Sequence, residues 1–441
     1  MNRKSLINGP IFSSMSLFAI PLLLGNLLQQ LYTIIDTWIV GRYLGAGALA
    51  SVGASFALMV FLTSVLIGLC MGSGVVFSYD YGEGAYTRLE RRIGTAFLGI
   101  LTATGCITIL SLALLPHILH WVQIPAELDQ MTAEYLHIVL LGIPAVFLYN
   151  FFAGYLRALG NSLLPLLILT AATFTNIGLD FLFVLHFHMG IRGVALATVI
   201  AQHESGLLLM LYCMFRDRHI QRACIGMHIV SEDLRILGRY SLYTCLQQSV
   251  MNLGILMVQG IVNSFGVTVM AAFSAGVKID AFAYMPAQEY GNAFSTFIAQ
   301  NHGAGRMDRV RKGIRIGFLT SIVYCIAASI VLCVFAPALM QVFLDAGEVE
   351  AVAIGTGYLQ IEGAFYVGIG ILFLWYGLFR AIGKPQVSLI LTILSLGTRV
   401  VLAYLSAATA IGYAGIWWAI PIGWALADLT GVILWRKLKH C

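Results

Sequence analysis

The stretch from Gly82 to Ile93 reads Gly-Glu-Gly-Ala-Tyr-Thr-Arg-Leu-Glu-Arg-Arg-Ile, and at an offset of 221 the stretch from Gly303 to Ile314 reads Gly-Ala-Gly-Arg-Met-Asp-Arg-Val-Arg-Lys-Gly-Ile. Glycines recur at the same two positions. Arg88 and Arg91 are answered by Arg309 and Lys312, and an isoleucine opens the next apolar run in both. Two further matches fall at nearly the same offset. Arg157-Ala158-Leu159-Gly160 returns as Arg380-Ala381-Ile382-Gly383 at 223, and Gly190 and Gly193 return as Gly412 and Gly415 at 222. Matches at one offset, without gaps, read as a duplication: the chain consists of two related halves.

Composition says where those halves reside. Of 441 residues, 59% are hydrophobic and only 10% are charged, against about 25% charged in soluble domains. A bilayer can solvate such a surface, and it demands apolar runs of roughly 20 residues whose backbone groups bond internally, hence helices. The short alternating segments of a membrane β-barrel are missing. Twelve spans are predicted, near 15–39, 48–77, 93–116, 132–155, 163–186, 191–215, 240–264, 268–300, 313–338, 353–378, 386–408 and 412–435. Six helices return each half to its starting side, so the halves are parallel repeats about an axis along the membrane normal, a form common among transporters. The predicted parts are an N-terminal lobe (1–215), a linker (216–239) and a C-terminal lobe (240–441).

Basic residues give the orientation. Arg3, Lys4, Arg88, Arg91, Arg92, Arg157, the arginines between Arg216 and Arg239, those from Arg306 to Arg315, Arg380, Lys384, Arg436, Lys437 and Lys439 share one side, against Arg42 and Arg192 on the other. That asymmetry predicts a multi-pass protein of the plasma (inner) membrane with both termini in the cytoplasm. The first span carries Pro21, Asn26, Gln29, Gln30 and Asp36, so it reads as a retained helix rather than a cleavable signal. The net charge of +5 is spread over short loops, which does not suit nucleic acid. Eight cysteines without a CxxC pair read as free thiols.

Ionisable residues inside spans cost about 2.5–3.5 kcal/mol each on the insertion scale and mark function. On the first helix, Gln29, Tyr32, Thr33 and Asp36 share one face. On the fifth, Thr173, Asn176 and Asp180 form a similar stripe, and the sixth carries Thr198. Topology puts Asp36, Asn176, Asp180 and Thr198 at similar depth. Two carboxylates, an amide oxygen and a hydroxyl suit a small cation or a proton. The equivalents in the second half are Met257, Arg399, Ala403 and Ile420. The loops repeat and this polar set does not, which points to a specialised site in the first half. Glu204, Lys278, Asp280, Glu362, Arg399 and Asp428 are further charges within spans, with Asp80 and Glu289 near the cytoplasmic interface. His117 and His120 are spaced for a metal but lack carboxylates nearby.

Pro21, the run Asn26-Leu27-Leu28-Gln29-Gln30-Leu31-Tyr32, Asp36 and Gly41-Arg42 resemble the first helix of the multidrug and toxic compound extrusion (MATE) transporters. The Arg157–Gly160 loop, Asn176 with Asp180, and Gly193 with Ala197-Thr198 are similar to the same family. The resemblance implies a V-shaped, two-lobed, twelve-helix antiporter rather than an enzyme. It would export cationic or amphiphilic molecules in exchange for Na⁺ or H⁺, with no other cofactor, as a monomer in the bilayer. It also implies Asp36, Asn176, Asp180 and Thr198 as the ion-coupling set. Pro21, Gln29, Tyr32, Gln248, Asn252 and Arg399 are the candidates for gating or the substrate cavity. Gln247 and Gln248 stand where the norfloxacin-exporter branch has an acid in helix seven, and Gly368–Arg380 contains no acid. The chain therefore looks closer to the DNA-damage-inducible branch. Two other readings are a flippase of lipid-linked saccharides, for which Arg399 and Lys278 are the only cationic candidates, and an intramembrane enzyme, for which the histidines are too scattered.

Overall fold

The computed structural model describes residues 5–121, 126–345, 347–409 and 412–439. Arg3, Lys4 and Cys441 lie outside the described residues, as does the side chain of Lys439. The described residues contain no strand. The apolar helices are α1 (Ile11–Leu44), α2 (Ala46–Glu83), α3 (Tyr86–Ala113), α4 (Glu127–Ala158), α5 (Leu163–His186), α6 (Gly190–Arg216), α7 (Ser231–Asn263), α8 (Val267–Gly303), α9 (Met307–Met340), α10 (Val349–Ala364 with Tyr366–Ala381), α11 (Pro385–Ala407) and α12 (Tyr413–Leu438). The chain is an all-helical, multi-pass membrane protein.

The duplication is visible in the backbone. Among the described residues, eight glycines have φ in the left-handed region, and they form four pairs: Gly45 with Gly266, Gly84 with Gly305, Gly160 with Gly383, and Gly190 with Gly412. Each pair sits at an offset of 221 to 223. A side chain is strained in that conformation, so the turns, and not just their composition, repeat.

Three details depart from the predicted spans. The tenth is not straight: its two parts meet at 53°. At the break the Phe365 N–H donates to Glu362 O at 3.1 Å and Gly368 N–H to Phe365 O at 2.8 Å, so the i→i−4 ladder stops and restarts. No proline marks the break in the sequence, where Glu362 and Gly363 are followed by the apolar run from Phe365. The fourth is interrupted at Leu141–Gly142, where both N–H groups bond three residues back, just before Pro144. The seventh begins at Ser231 rather than near 240, preceded by a short helix, Arg218–Ile225, capped by the Asp217 carboxylate on His219 N–H at 2.9 Å.

Contacts divide the chain into two compact units. One contains Ile20–Cys245; the other contains Leu6–Ala19 together with Leu246–Cys441. The first nine residues of α1 therefore belong with the second unit, and α7 up to Cys245 belongs with the first.

The first unit is built on an aromatic core. Phe77 and Phe97 meet Phe151 with ring centroids 6.1 and 5.3 Å apart, and Phe97 meets Phe147 at 5.5 Å. Small residues bring the start of α7 against α2. A Cβ on Gly68 would stand 2.4 Å from Cys245 Cα, and one on Gly72 would stand 2.5 Å from Ser241 Cα. The spacing is the small-xxx-small pattern of membrane helix pairs. Gly72→Val is expected to destabilise by about 3 kcal/mol, the upper part of the overpacking range, because backbone cannot yield as a side chain can. Thermal unfolding in detergent checks it. The control is Gly105→Ala, whose Cβ meets nothing within 4 Å; equal midpoints for the two variants would contradict the close approach.

The second unit packs around Phe273, Tyr358 and Trp417, with ring centroids 5.1–5.3 Å apart. Gly276 faces Tyr358 and Gly291 faces Phe373. Both pairs are 82 residues apart, so α8 and α10 run side by side in parallel, with Asp280 level with Glu362.

Candidate functional site

Asp36 and Asp180 come from the C-terminal parts of α1 and α5. Each helix winds into a π-helical segment just beyond its carboxylate, at Val40–Leu44 and Leu182–His186. Among the described residues these are the two π segments, and both lie in the first half. Such segments are rare, and frequent at functional sites.

The Asp36 and Asp180 carboxyls are within hydrogen-bonding reach of each other. Two carboxylates have no proton to share, and when both are ionised the contact is repulsive. Asp180 is fully buried and Asn176 is 1% exposed. With no proton between the acids, both oxygens of Asp180, Asp36 Oδ1, and the amide oxygen and nitrogen of Asn176 lack a partner. Buried polar groups of this kind are costly unless something completes them.

The Tyr32 hydroxyl, one turn before Asp36, donates to Thr198 Oγ1 at 3.2 Å and also lies within reach of Asp36. A cavity of about 110 Å³ opens beside this group, lined by Gln29, Tyr32, Asn176, Thr198 and Gln202 among others. The structure therefore brings together Asp36, Asn176, Asp180, Thr198, Tyr32 and Gln29. Thr33, on the same stripe in the sequence, is exposed and donates to Gln29 O at 3.0 Å. Thr173 lines the cavity but donates to Leu169 O at 2.9 Å.

Two members escaped sequence reasoning. Tyr135 of α4 lies close enough to interact electrostatically with both carboxyls, yet nothing in its own helix marks it. Gln202 is four residues after Thr198, on the same face of α6, and its Oε1 is buried without a partner; that spacing was the available signal.

The remaining candidates lie elsewhere. Pro21 is inside α1, four turns before Asp36. Gln248, Asn252 and Arg399 belong to the second unit and do not line this cavity. Arg399 is near enough to Asp280 and Glu362 to interact with them electrostatically, and Lys278 is exposed. The Asp428 carboxylate lies by Gly368. Glu204 is half-buried, beside a His203 whose Nδ1 is 2.9 Å from Val199 O. His117 and His120 are exposed on a short helix, Leu115–Trp121. Asp80, read as interfacial, is fully buried and ion-paired.

Two six-helix repeats with ionisable residues buried inside them are a form common among secondary membrane transporters. The MatE family model matches residues 21–182 and 242–405, once in each half, and the chain belongs to that family. It is 29% identical over 430 residues to the probable multidrug resistance protein YoeA of Bacillus subtilis, covering 95% of this chain and 92% of that one. It is 23% identical over 448 residues to the multidrug export protein MepA of Staphylococcus aureus, covering 98% and 94%. In structure it is similar to a MOP superfamily transporter from Pyrococcus furiosus, with a TM-score of 0.91, 22% identity, and coverage of 100% and 98%.

Proposed function

We propose that this protein is a cation-coupled antiporter that exports cationic or amphiphilic small molecules in exchange for Na⁺ or H⁺. It acts as a monomer in the plasma membrane, with both termini in the cytoplasm. The export of drugs is carried over from relatives named as multidrug resistance and multidrug export proteins. The observation that supports the coupling is the Asp36–Asp180 pair: a half-buried and a fully buried carboxyl in mutual reach, with Asn176 unpaired beside them.

A proton on one acid turns the repulsion into a hydrogen bond. A sodium ion would take oxygens from both acids, from Asn176 and from Thr198, all hard ligands suited to it. Either ion favours the arrangement that holds the two helices together. Loss of the ion favours their separation. An ion shifts such a balance only through its different affinity for the two arrangements, and these carboxyls supply that difference. The lack of acids at Gln247 and Gln248 of α7 supports a coupling site in the first half, and with it the DNA-damage-inducible branch. The test is efflux of a lipophilic cation from proteoliposomes under imposed Na⁺ or pH gradients, compared with Asp36→Asn.

Pro21 is proposed as the bending point of α1. It has no N–H, so the Leu17 carbonyl loses its helical partner there. Pro21→Ala restores that bond and stiffens the helix. Turnover is expected to fall between about 5-fold and 150-fold, the usual span of a coupling energy, with ion binding unchanged. Stopped-flow transport and ion titration on the same sample separate the two; a variant with normal turnover contradicts the bend.

A further inference from the structure

At the cytoplasmic end of the first unit, the turn between α2 and α3 holds the start of α7. Arg88 Nε donates to Asp80 Oδ1 at 2.8 Å, and Arg92 Nη1 reaches both Asp80 oxygens at 2.8 and 2.9 Å. Arg92 Nε and Arg91 Nε then donate to Asp233 at 3.0 and 2.5 Å. Thr95 Oγ1 bonds His228 O and Val230 N–H, each at 3.3 Å. The segment 228–233 is thus strapped across α3.

The second unit repeats the device with different chemistry. Asn301 and Arg309 are the equivalents of Asp80 and Arg88, both at the offset of 221. The shared bond is kept: Arg309 Nε donates to Asn301 Oδ1 at 3.0 Å. What the pair holds is the segment before α1. Asn301 Nδ2 donates to Leu6 O at 3.1 Å, and Arg309 Nη2 to Leu6 O at 3.2 Å and Gly9 O at 2.8 Å. Arg306 Nη1 donates to Ile7 O at 2.9 Å. Arg309 also stacks over the Phe297 ring at 5.6 Å. Residues 6–9 correspond to 228–231 at an offset of 222. Each half therefore grips the entry to the first helix of the other half. The first grip is made of carboxylates and arginines, the second of arginines, an amide and main-chain carbonyls.

We propose that Asn301, Arg306 and Arg309 are positioning residues for transport: they tether Leu6–Gly9, so that the cytoplasmic end of α1 moves with the second unit while its outer part carries Asp36. α1 then links ion occupancy in the first unit to the second through one continuous helix. This rests on the reading of Asp36 as the coupling residue. It explains why the first nine residues of α1 group with the second unit. It also explains why the second grip uses backbone acceptors: they hold the segment whatever its side chains, and do not depend on a partner's protonation.

The test uses the full chain in proteoliposomes, with ethidium as the transported cation. Arg309→Ala removes the Arg309 bonds to Leu6 and Gly9 and the support of Asn301, whose own bond to Leu6 then stands with that of Arg306 to Ile7. Hydrogen exchange over residues 5–20 is expected to accelerate while 228–245 stays protected. The Na⁺- or pH-induced change in intrinsic fluorescence should remain, and gradient-driven ethidium efflux should fall about tenfold. Arg309→Lys, which keeps a charged donor, should recover part of the rate. Normal efflux in Arg309→Ala overturns the tether. So does loss of the ion response together with efflux, because the pair would then be shaping the ion site rather than relaying it. If the wild-type protein itself shows no ion response, the coupling reading fails separately. The tether is then judged on gradient-free ethidium exchange, which Arg309→Ala must still slow.

Discussion

Asp36→Asn is expected to lower ion-driven efflux by about 100-fold or more, in the upper part of the range over which one ligand's occupancy alters another's, while leaving the folded protein intact. The substitution is nearly isosteric and removes one of two like charges in a buried site. Asp180 would then face an amide instead of a carboxylate, and could accept a hydrogen bond from it. The repulsion that an entering ion relieves would be gone, and with it the differential affinity that drives the cycle. Stability should hold or rise, since an unpaired buried charge interaction is lost. The informative pattern is a split: thermal midpoint maintained, ion-dependent fluorescence abolished, efflux abolished. A variant that still responds to ion contradicts the role of Asp36. Asp180→Asn should give the same split, and the Asp36→Asn/Asp180→Asn double variant should be no worse than either single one, because the acids act as a unit.

The second large effect concerns folding. Asp80 is fully buried and is the common acceptor of Arg88 and Arg92, while Arg92 also reaches Asp233. Removing one partner of a buried ion pair leaves the others uncompensated and costs about 3–5 kcal/mol. Asp80→Ala is therefore expected to sharply reduce the folded yield and the thermal midpoint. Asp80→Asn should be much milder. Asn301 occupies the equivalent position and bonds Arg309 in the same way, and Arg92, whose equivalent is Gly313, keeps its bond to Asp233. Thermal unfolding of the two variants decides the matter. Equal losses would mean that the charge of Asp80, rather than its bond to Arg88, holds the turn.

Much of the fold was legible because lipid imposes strong rules. Apolar runs gave the helices, and Arg88–Ile93 against Arg309–Ile314 gave the repeat. The four glycine pairs repeat because each turn needs a left-handed residue. The α10 bend was not legible, because the hydrogen bonds break at Phe365 without a proline, and Glu362 beside it reads as a polar group rather than as a bend.

The site shows the same division. Asp36, Asn176, Asp180 and Thr198 could be grouped by depth, since topology fixes how far each residue lies along its span. Tyr135 could not be, because which helix faces which is a matter of packing rather than of sequence order. The two grips on the entries to α1 and α7 were hidden for a further reason. Asp80 and Arg88 are close in sequence, but Asp233 is 141 residues from Arg92, and Leu6 is 303 from Arg309. The acceptors in the second grip are main-chain carbonyls, which carry no residue signature at all.

Whether the Asp36–Asp180 pair drives export is decided by efflux of a lipophilic cation from proteoliposomes, measured under an inward Na⁺ gradient and, separately, an inward proton gradient. At least one gradient should accelerate efflux by the wild-type protein, and neither should do so in Asp36→Asn or Asp180→Asn. Wild-type efflux indifferent to both gradients, or acceleration that survives in both variants, would contradict that role of the pair.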